Sequence, residues 1–139
     1  MENQQRVPVK IMTELIVRKQ SRLLEVAFDD EIFSISFELL RVCSPSAQVR
    51  GHGAGQEILQ TGMRNINIDT LEPVGNYAVR PQFSDGHNTG IYTWAYLYIL
   101  GKNQAQLWQD YLARLQAAGY PAENGRDIPM ASPVNIGSK

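Results

Sequence analysis

Four side chains in this sequence have the chemistry of a site: the histidines His52 and His87, the lone cysteine Cys43, and the carboxylate of Asp85. Asp85-Gly86-His87 would set a carboxylate and an imidazole on one stiff turn, a pairing suited to general-base work or metal ligation. The same tripeptide also reads as plain turn chemistry, because Asp-Gly is a common hairpin dipeptide and a following histidine can cap it. His52 lies in Gly51-His52-Gly53, where flanking glycines permit the positive φ and close backbone approach of an anion-cradling nest. No nucleotide-loop spacing accompanies it, so a flexible loop is the competing reading. Cys43 could join His52, His87 and Asp85 in a mixed zinc or iron(II) site. A free cysteine just after a helix also serves as a small buried hydrophobe. A nucleophilic Cys-His pair would need a third orienting group that nothing in the sequence marks.

The elements that must position these residues follow from periodicity. Val9 to Val17 reads as a strand, Lys19 to Arg22 as a turn, and Leu23 to Phe28 as a second strand with Leu24, Val26 and Phe28 on one face. After Asp29-Asp30-Glu31, Ile32 to Ile35 returns, and Ser36 is placed to cap a short helix over Phe37 to Arg41. The pattern then repeats about 55 residues on, in a chain too short in copies for a solenoid. Tyr77 to Phe83 is a strand, Ser84 to Asn88 a turn, Gly90 to Tyr92 a returning strand, and Thr93 an N-cap. Two strand-turn-strand-helix copies in one domain suggest a pseudo-twofold arrangement.

Between the copies, Cys43 to Gln56 is polar and glycine-rich and reads as a long loop. Asn65 to Asp69 alternates as a strand, and Leu71 to Asn76 reads as a bend into the next one. Trp94, Leu97 and Tyr98 share a helical face up to Gly101; a second helix starts at Asn103, with Leu107, Trp108, Tyr111, Leu112 and Leu115 as its stripe and Gly119 at its C′ position. With Trp94 and Tyr98 turned to the core, Tyr96 becomes a candidate for an outer recognition surface.

A chain of 139 residues, 43% apolar and 19% charged, fits one globular domain with one core. Thirteen basic and fourteen acidic side chains, with no basic face or arm, argue against nucleic-acid binding. One cysteine permits no internal disulfide, and no apolar run reaches the roughly 18 residues of a membrane span. The N-terminal decapeptide has no signal-peptide core. A cytoplasmic protein is expected.

Leu40-Arg41-x-x-Ser44-Pro45-Ser46-Ala47, Gly51-His52-Gly53, Pro73-Val74-Gly75-Asn76-Tyr77-Ala78 and Asp85-Gly86-His87-x-Thr89-Gly90-Ile91-Tyr92-x-Trp94 together resemble the gamma-butyrobetaine hydroxylase-like N-terminal domain family, over roughly residues 8 to 118. In the hydroxylases this domain precedes a separate 2-oxoglutarate oxygenase domain that has no counterpart among these motifs, so the resemblance implies no oxygenase chemistry here. It does imply a structural zinc held by a Cys-x-Cys-x-x-Cys segment and by the histidine of the Asp-x-His turn. Carried onto this chain, the cysteine positions fall on Ser44, Ser46 and Val49, Cys43 lies one residue early, and only His87 is retained. Related domains also occur beside iron–sulfur proteins, which implies an accessory role in iron or cluster handling.

The expected protein is therefore a single α+β domain of mostly antiparallel strands, with a repeated strand-turn-strand-helix unit and a longer C-terminal helix. Residues 1–7 form a flexible N-terminus, 8–118 the domain, and 119–139 a flexible tail. The expected function is non-catalytic: a binding or adaptor module for a protein partner, with a surface drawn from Ser44, Ser46, Arg50, Gly53, Gly86 and Tyr96. The alternatives are a zinc or iron site using His87 with His52, Cys43 or Asp85, and a small-molecule enzyme with Asp85 and His87 as base.

Overall fold

The computed structural model describes residues 11–51, 55–121 and 123–130. Its first half is an antiparallel meander of β1 (Met12–Arg18), β2 (Leu23–Phe28) and β3 (Ile32–Ser36), followed by α1 (Phe37–Val42). The pairing sets Leu24 opposite Ile35 and Val26 opposite Phe33, so the alternation seen in the sequence aligns one apolar face across the sheet. The Ser36 hydroxyl accepts a hydrogen bond from the amide of Leu39 at 3.0 Å and starts α1 as its N-cap.

The second half repeats the plan with β4 (Ile68–Val74), β5 (Ala78–Phe83) and β6 (Tyr92–Thr93), again a three-stranded antiparallel sheet, and then α3 (Trp94–Ala117). The Thr93 hydroxyl accepts from the amide of Tyr96 and caps α3, as the spacing predicts. The halves interlock rather than sit side by side. Tyr98 of α3 enters a cluster of edge-to-face rings with Phe28 and Phe33 of the first sheet, at centroid distances of 5.1 and 5.6 Å. The fully buried Tyr92 donates from its hydroxyl to the carbonyl of Leu40 in α1 at 2.5 Å. One apolar core, running from Leu24 and Ile35 through Leu40, Ile68 and Phe83 to Leu97 and Leu115, serves both halves.

Several boundaries differ from the expected ones. The expected bend over Leu71 to Asn76 is mostly strand: β4 continues through Pro73 to Val74, and only Gly75-Asn76 turns. Pro73 is tolerated because β4 lies at the sheet edge, where its missing N–H costs no ladder bond. The start of the first strand at Val9 falls outside the described residues. The long polar loop after Cys43 contains a short helix, α2 (Ala47–Arg50), capped by the Ser46 hydroxyl, which accepts from the amide of Gln48 at 3.1 Å.

The two expected C-terminal helices are one, α3, kinked where Asn103 leaves helical geometry at φ −114° and ψ 15°. Gly101 is present for close approach, since a Cβ there would lie 2.4 Å from the Phe33 ring. At the far end Gly119 adopts φ +101°, with its amide bonded to the carbonyl of Gln116 and that of Tyr120 to Leu115, a Schellman termination.

Within the stretch expected to be a flexible tail, residues 123–130 make specific contacts with the rest of the chain. Gly62 and Arg64 donate backbone bonds to the carbonyls of Gly125 and Arg126 at 2.9 and 3.0 Å, and the Arg126 guanidinium forks onto the carboxylate of Glu38 at 2.6 and 2.8 Å. The same guanidinium lies 4.9 Å over the Trp108 ring. This segment has no periodicity because its order comes from distant partners. Among the described residues no helix is long and apolar enough to cross a membrane.

Candidate functional site

The turn after β5 is built from its own residues. The amide of Gly86 donates to the carbonyl of Phe83, Phe83 donates back to the carbonyl of His87, and the Asp85 carboxylate accepts from the amide of His87 at 3.1 Å. Gly86, at φ +91°, takes the left-handed conformation that the reversal needs. The turn is then fixed to the first half. Arg41, at the end of α1, donates Nε to Oδ2 of Asp85 at 3.1 Å, places Nη2 2.9 Å from the same oxygen in an ion pair, and donates Nη1 to Oε1 of Gln60 at 2.8 Å. Ser44 Oγ and His87 Nε2 share a hydrogen bond of 2.8 Å, and Ser46 Oγ and Thr89 Oγ1 share one of 2.6 Å. The amide of Ser46 also donates to Ser44 Oγ at 3.2 Å.

His87 is only 7% exposed and Ser44 1%. Burial, and then the neighbouring Arg41 cation, hold the His87 imidazole below its usual pKa, partly offset by Asp85. The ring is therefore neutral at pH 7. Because the folded chain binds this proton less readily than the unfolded one, the His87 contribution to stability is complete above the unfolded value of about 6.5 and is lost as pH falls through the window below it. Urea midpoints measured across that window are expected to fall with acidification, with a shallower slope in His87→Gln. The carboxylate of Asp85 meets the backbone amide of His87, not its ring, so no Asp-His-Ser relay is formed.

Cys43 goes elsewhere. It is the C-cap of α1, and its thiol lines a separate cleft of about 300 Å³ with Val42, Glu57, Leu107, Asp110, Tyr111 and Arg114. Burial pushes the thiol pKa up to about 11. At pH 8 its thiolate fraction is then on the order of 100-fold below that of an unperturbed thiol, so maleimide labelling of the folded chain is expected to be slower by about that factor than labelling in urea. A single-exponential labelling time course under each condition checks this.

Of the expected metal set, His87 meets Ser44, Asp85 meets Arg41, and Cys43 lines another cleft. Among the described residues no three His, Cys, Asp or Glu side chains converge on a metal position. His52 and Gly53 lie outside the described residues. The zinc implied by the resemblance does not fit either. Tetrahedral zinc holds nitrogen and oxygen ligands about 3.3 Å apart at ordinary bond lengths, whereas Ser44 Oγ and His87 Nε2 are in direct contact at 2.8 Å. Neutral hydroxyls also replace two thiolates, and the third position is the buried, apolar Val49.

The residues expected to form a binding surface fall into two groups. Ser44 and Ser46 are buried in these polar contacts. Tyr96 is half-buried and donates its hydroxyl to the carbonyl of Cys43 at 2.5 Å, because the helix turn that caps on Thr93 rotates it inward. Arg50 and Gly86 are exposed. Sequence reasoning missed Arg41, Gln60 and Thr89; the Leu-Arg preceding the serines was the one signal that pointed toward Arg41.

Two interlocked three-stranded antiparallel sheets, one long kinked helix and a polar junction around an Asp-Gly-His turn define the class as a single α+β domain. Residues 15–98 match the family described as gamma-butyrobetaine hydroxylase-like, N-terminal, and the chain belongs to that family. Two solution NMR structures are similar to it. One is 46% identical with a TM-score of 0.72, covering 94% of this chain and 97% of its own; the other is 40% identical with a TM-score of 0.73, covering 91% and 97%. A crystal structure from Acidithiobacillus ferrooxidans, described as a protein of unknown function of the DUF971 family, is 38% identical with a TM-score of 0.51 over 65% of this chain and 91% of that one. No match is found among curated proteins.

Proposed function

We propose that the chain is a non-catalytic binding or adaptor module whose partner is a protein, in the setting of iron or iron–sulfur protein handling that the family resemblance implies. The observation that carries this reading is the internal use of every reactive group at the turn. Asp85 is neutralised by Arg41, and His87 is buried and bonded to Ser44. A general base needs a free lone pair facing a substrate, and these groups are spent on joining the two halves. What the junction presents outward is its rim: Gly86, Asn88 and Thr89 from the turn, and Arg50 from α2. Small polar groups and one cation on a rigid base suit recognition of a protein surface.

The test is affinity capture with the tagged chain, followed by titration of the purified captured protein against wild type and an Arg50→Glu, Asn88→Arg double variant. Saturable binding that weakens at least about tenfold in the variant, roughly 1.4 kcal/mol, is expected. Absence of direct binding, together with small-molecule turnover abolished by His87→Gln, would replace the adaptor with an enzyme.

A further inference from the structure

Leu107, Asp110, Tyr111 and Arg114 recur at intervals of three and four and so share one face of α3. That face meets Val42 and Cys43, where α1 ends, and Glu57 from the chain after α2, and together they line the cleft of about 300 Å³. Its floor is apolar and held in place. Val42 and Tyr111 are 5% and 2% exposed, the Tyr111 hydroxyl donates to the carbonyl of Gln60 at 2.7 Å, and the Tyr96 hydroxyl donates to the carbonyl of Cys43. The Cys43 thiol, kept protonated by burial, adds a soft neutral surface.

The rim is charged. Asp110 and Arg114 stand four residues apart on α3, the spacing of an acid–base pair. The carboxylate nevertheless accepts from Gln106 at 2.8 Å, and Arg114 makes no ion pair or side-chain hydrogen bond among the described residues. Glu57 makes none among them either, and all three side chains are exposed. After burial, Arg114 and Asp110 are the influences that act on the Cys43 thiol, so both charges reach the cleft floor. With each water occupying about 30 Å³, the volume takes a molecule of roughly ten non-hydrogen atoms.

We propose that this cleft binds a free α-amino acid with an apolar or thioether side chain, its carboxylate on the Arg114 guanidinium, its ammonium toward Glu57 and Asp110, and its side chain against Val42, Leu107 and Cys43. The planar fork of an arginine suits a carboxylate, and a pair of carboxylates suits an ammonium, so the head group is read at both ends. Exposed ion pairs alone are weak, and burial of the apolar side chain supplies the rest of the affinity. A residue inside a peptide carries neither charge and loses both head-group contacts.

Titration of the full isotope-labelled chain with L-methionine, followed through amide chemical shifts, tests the site. Saturable shifts at Val42, Cys43, Glu57, Asp110 and Arg114 are expected, with a Kd below about 1 mM. N-acetylmethionine and methioninamide, which each lack one charge, and glycine, which lacks the side chain, are expected to bind at least about fivefold more weakly. Arg114→Gln is expected to weaken methionine by the same factor and to leave methioninamide unchanged. The Glu57→Gln, Asp110→Asn chain is expected to weaken methionine and to leave N-acetylmethionine unchanged. These side chains are exposed, and amide shifts away from the cleft report that each variant keeps the fold. A Kd for methionine above about 1 mM overturns the proposal; so does glycine binding as tightly as methionine, or a methionine affinity that neither charge variant alters.

Discussion

Arg126→Ala is expected to lower the unfolding free energy by about 3–5 kcal/mol, the cost typical of leaving one member of a buried ion pair alone. Glu38, in the first turn of α1, has a side chain only 7% exposed, and both of its oxygens are taken by the Arg126 guanidinium, itself 16% exposed. Without the arginine the carboxylate keeps its burial and loses its counter-charge. The Trp108 ring also loses the cation above it. Replacing both partners, as in Glu38→Gln with Arg126→Met, is expected to restore much of the loss, because the penalty lies in the orphaned charge. Urea unfolding followed by tryptophan fluorescence reads all three chains; a loss below about 1 kcal/mol in Arg126→Ala would mean that residues 123–130 contribute little to the fold.

Asp85→Ala is expected to cost about 3 kcal/mol, at the low end for a buried pair because Asp85 is itself 31% exposed while Arg41 is 7% exposed. Among the described residues, the alanine leaves the buried guanidinium with Gln60 to receive it, and it removes the acceptor that closes the turn at the amide of His87. Asp85→Asn retains an oxygen for these donors and is expected to lose about half as much. The comparison separates scaffold from catalyst. A carboxylate kept for base chemistry could be removed with little effect on stability, so an Asp85→Ala chain as stable as wild type, in denaturant titrations at pH 7, would contradict the structural role assigned here to the Arg41–Asp85 pair.

These two ion pairs also mark where sequence reading stopped. The first meander, the N-caps of α1 and α3 and the Schellman glycine were legible because each is specified by neighbours within a few residues: alternation in Leu24, Val26 and Phe28; a hydroxyl at Ser36 or Thr93 just before a helical stripe; Gly119 just after one. The echo between the halves was legible for the same reason. Leu71 to Asn76 was read as a bend, whereas a strand through Pro73 is tolerated because β4 lies at an edge, and edge position is a property of the sheet.

The site was legible in its members and not in its meaning. Asp85-Gly86-His87 is a turn on sequence grounds alone, and the structure keeps it so. Whether its carboxylate and imidazole are free depended on Arg41 and Ser44, which lie 44 and 43 residues away; the Glu38–Arg126 pair likewise spans 88 residues. Local propensity and periodicity carry no information over such separations. The sequence by itself determined the strand-turn-strand-helix plan of each half, the caps of α1 and α3 and the buried face of β2. Only the tertiary structure decided that Cys43 turns to a separate cleft, that the serines are interior, and that the histidine is held by a hydroxyl, because burial and partnership are settled when distant elements pack against one core.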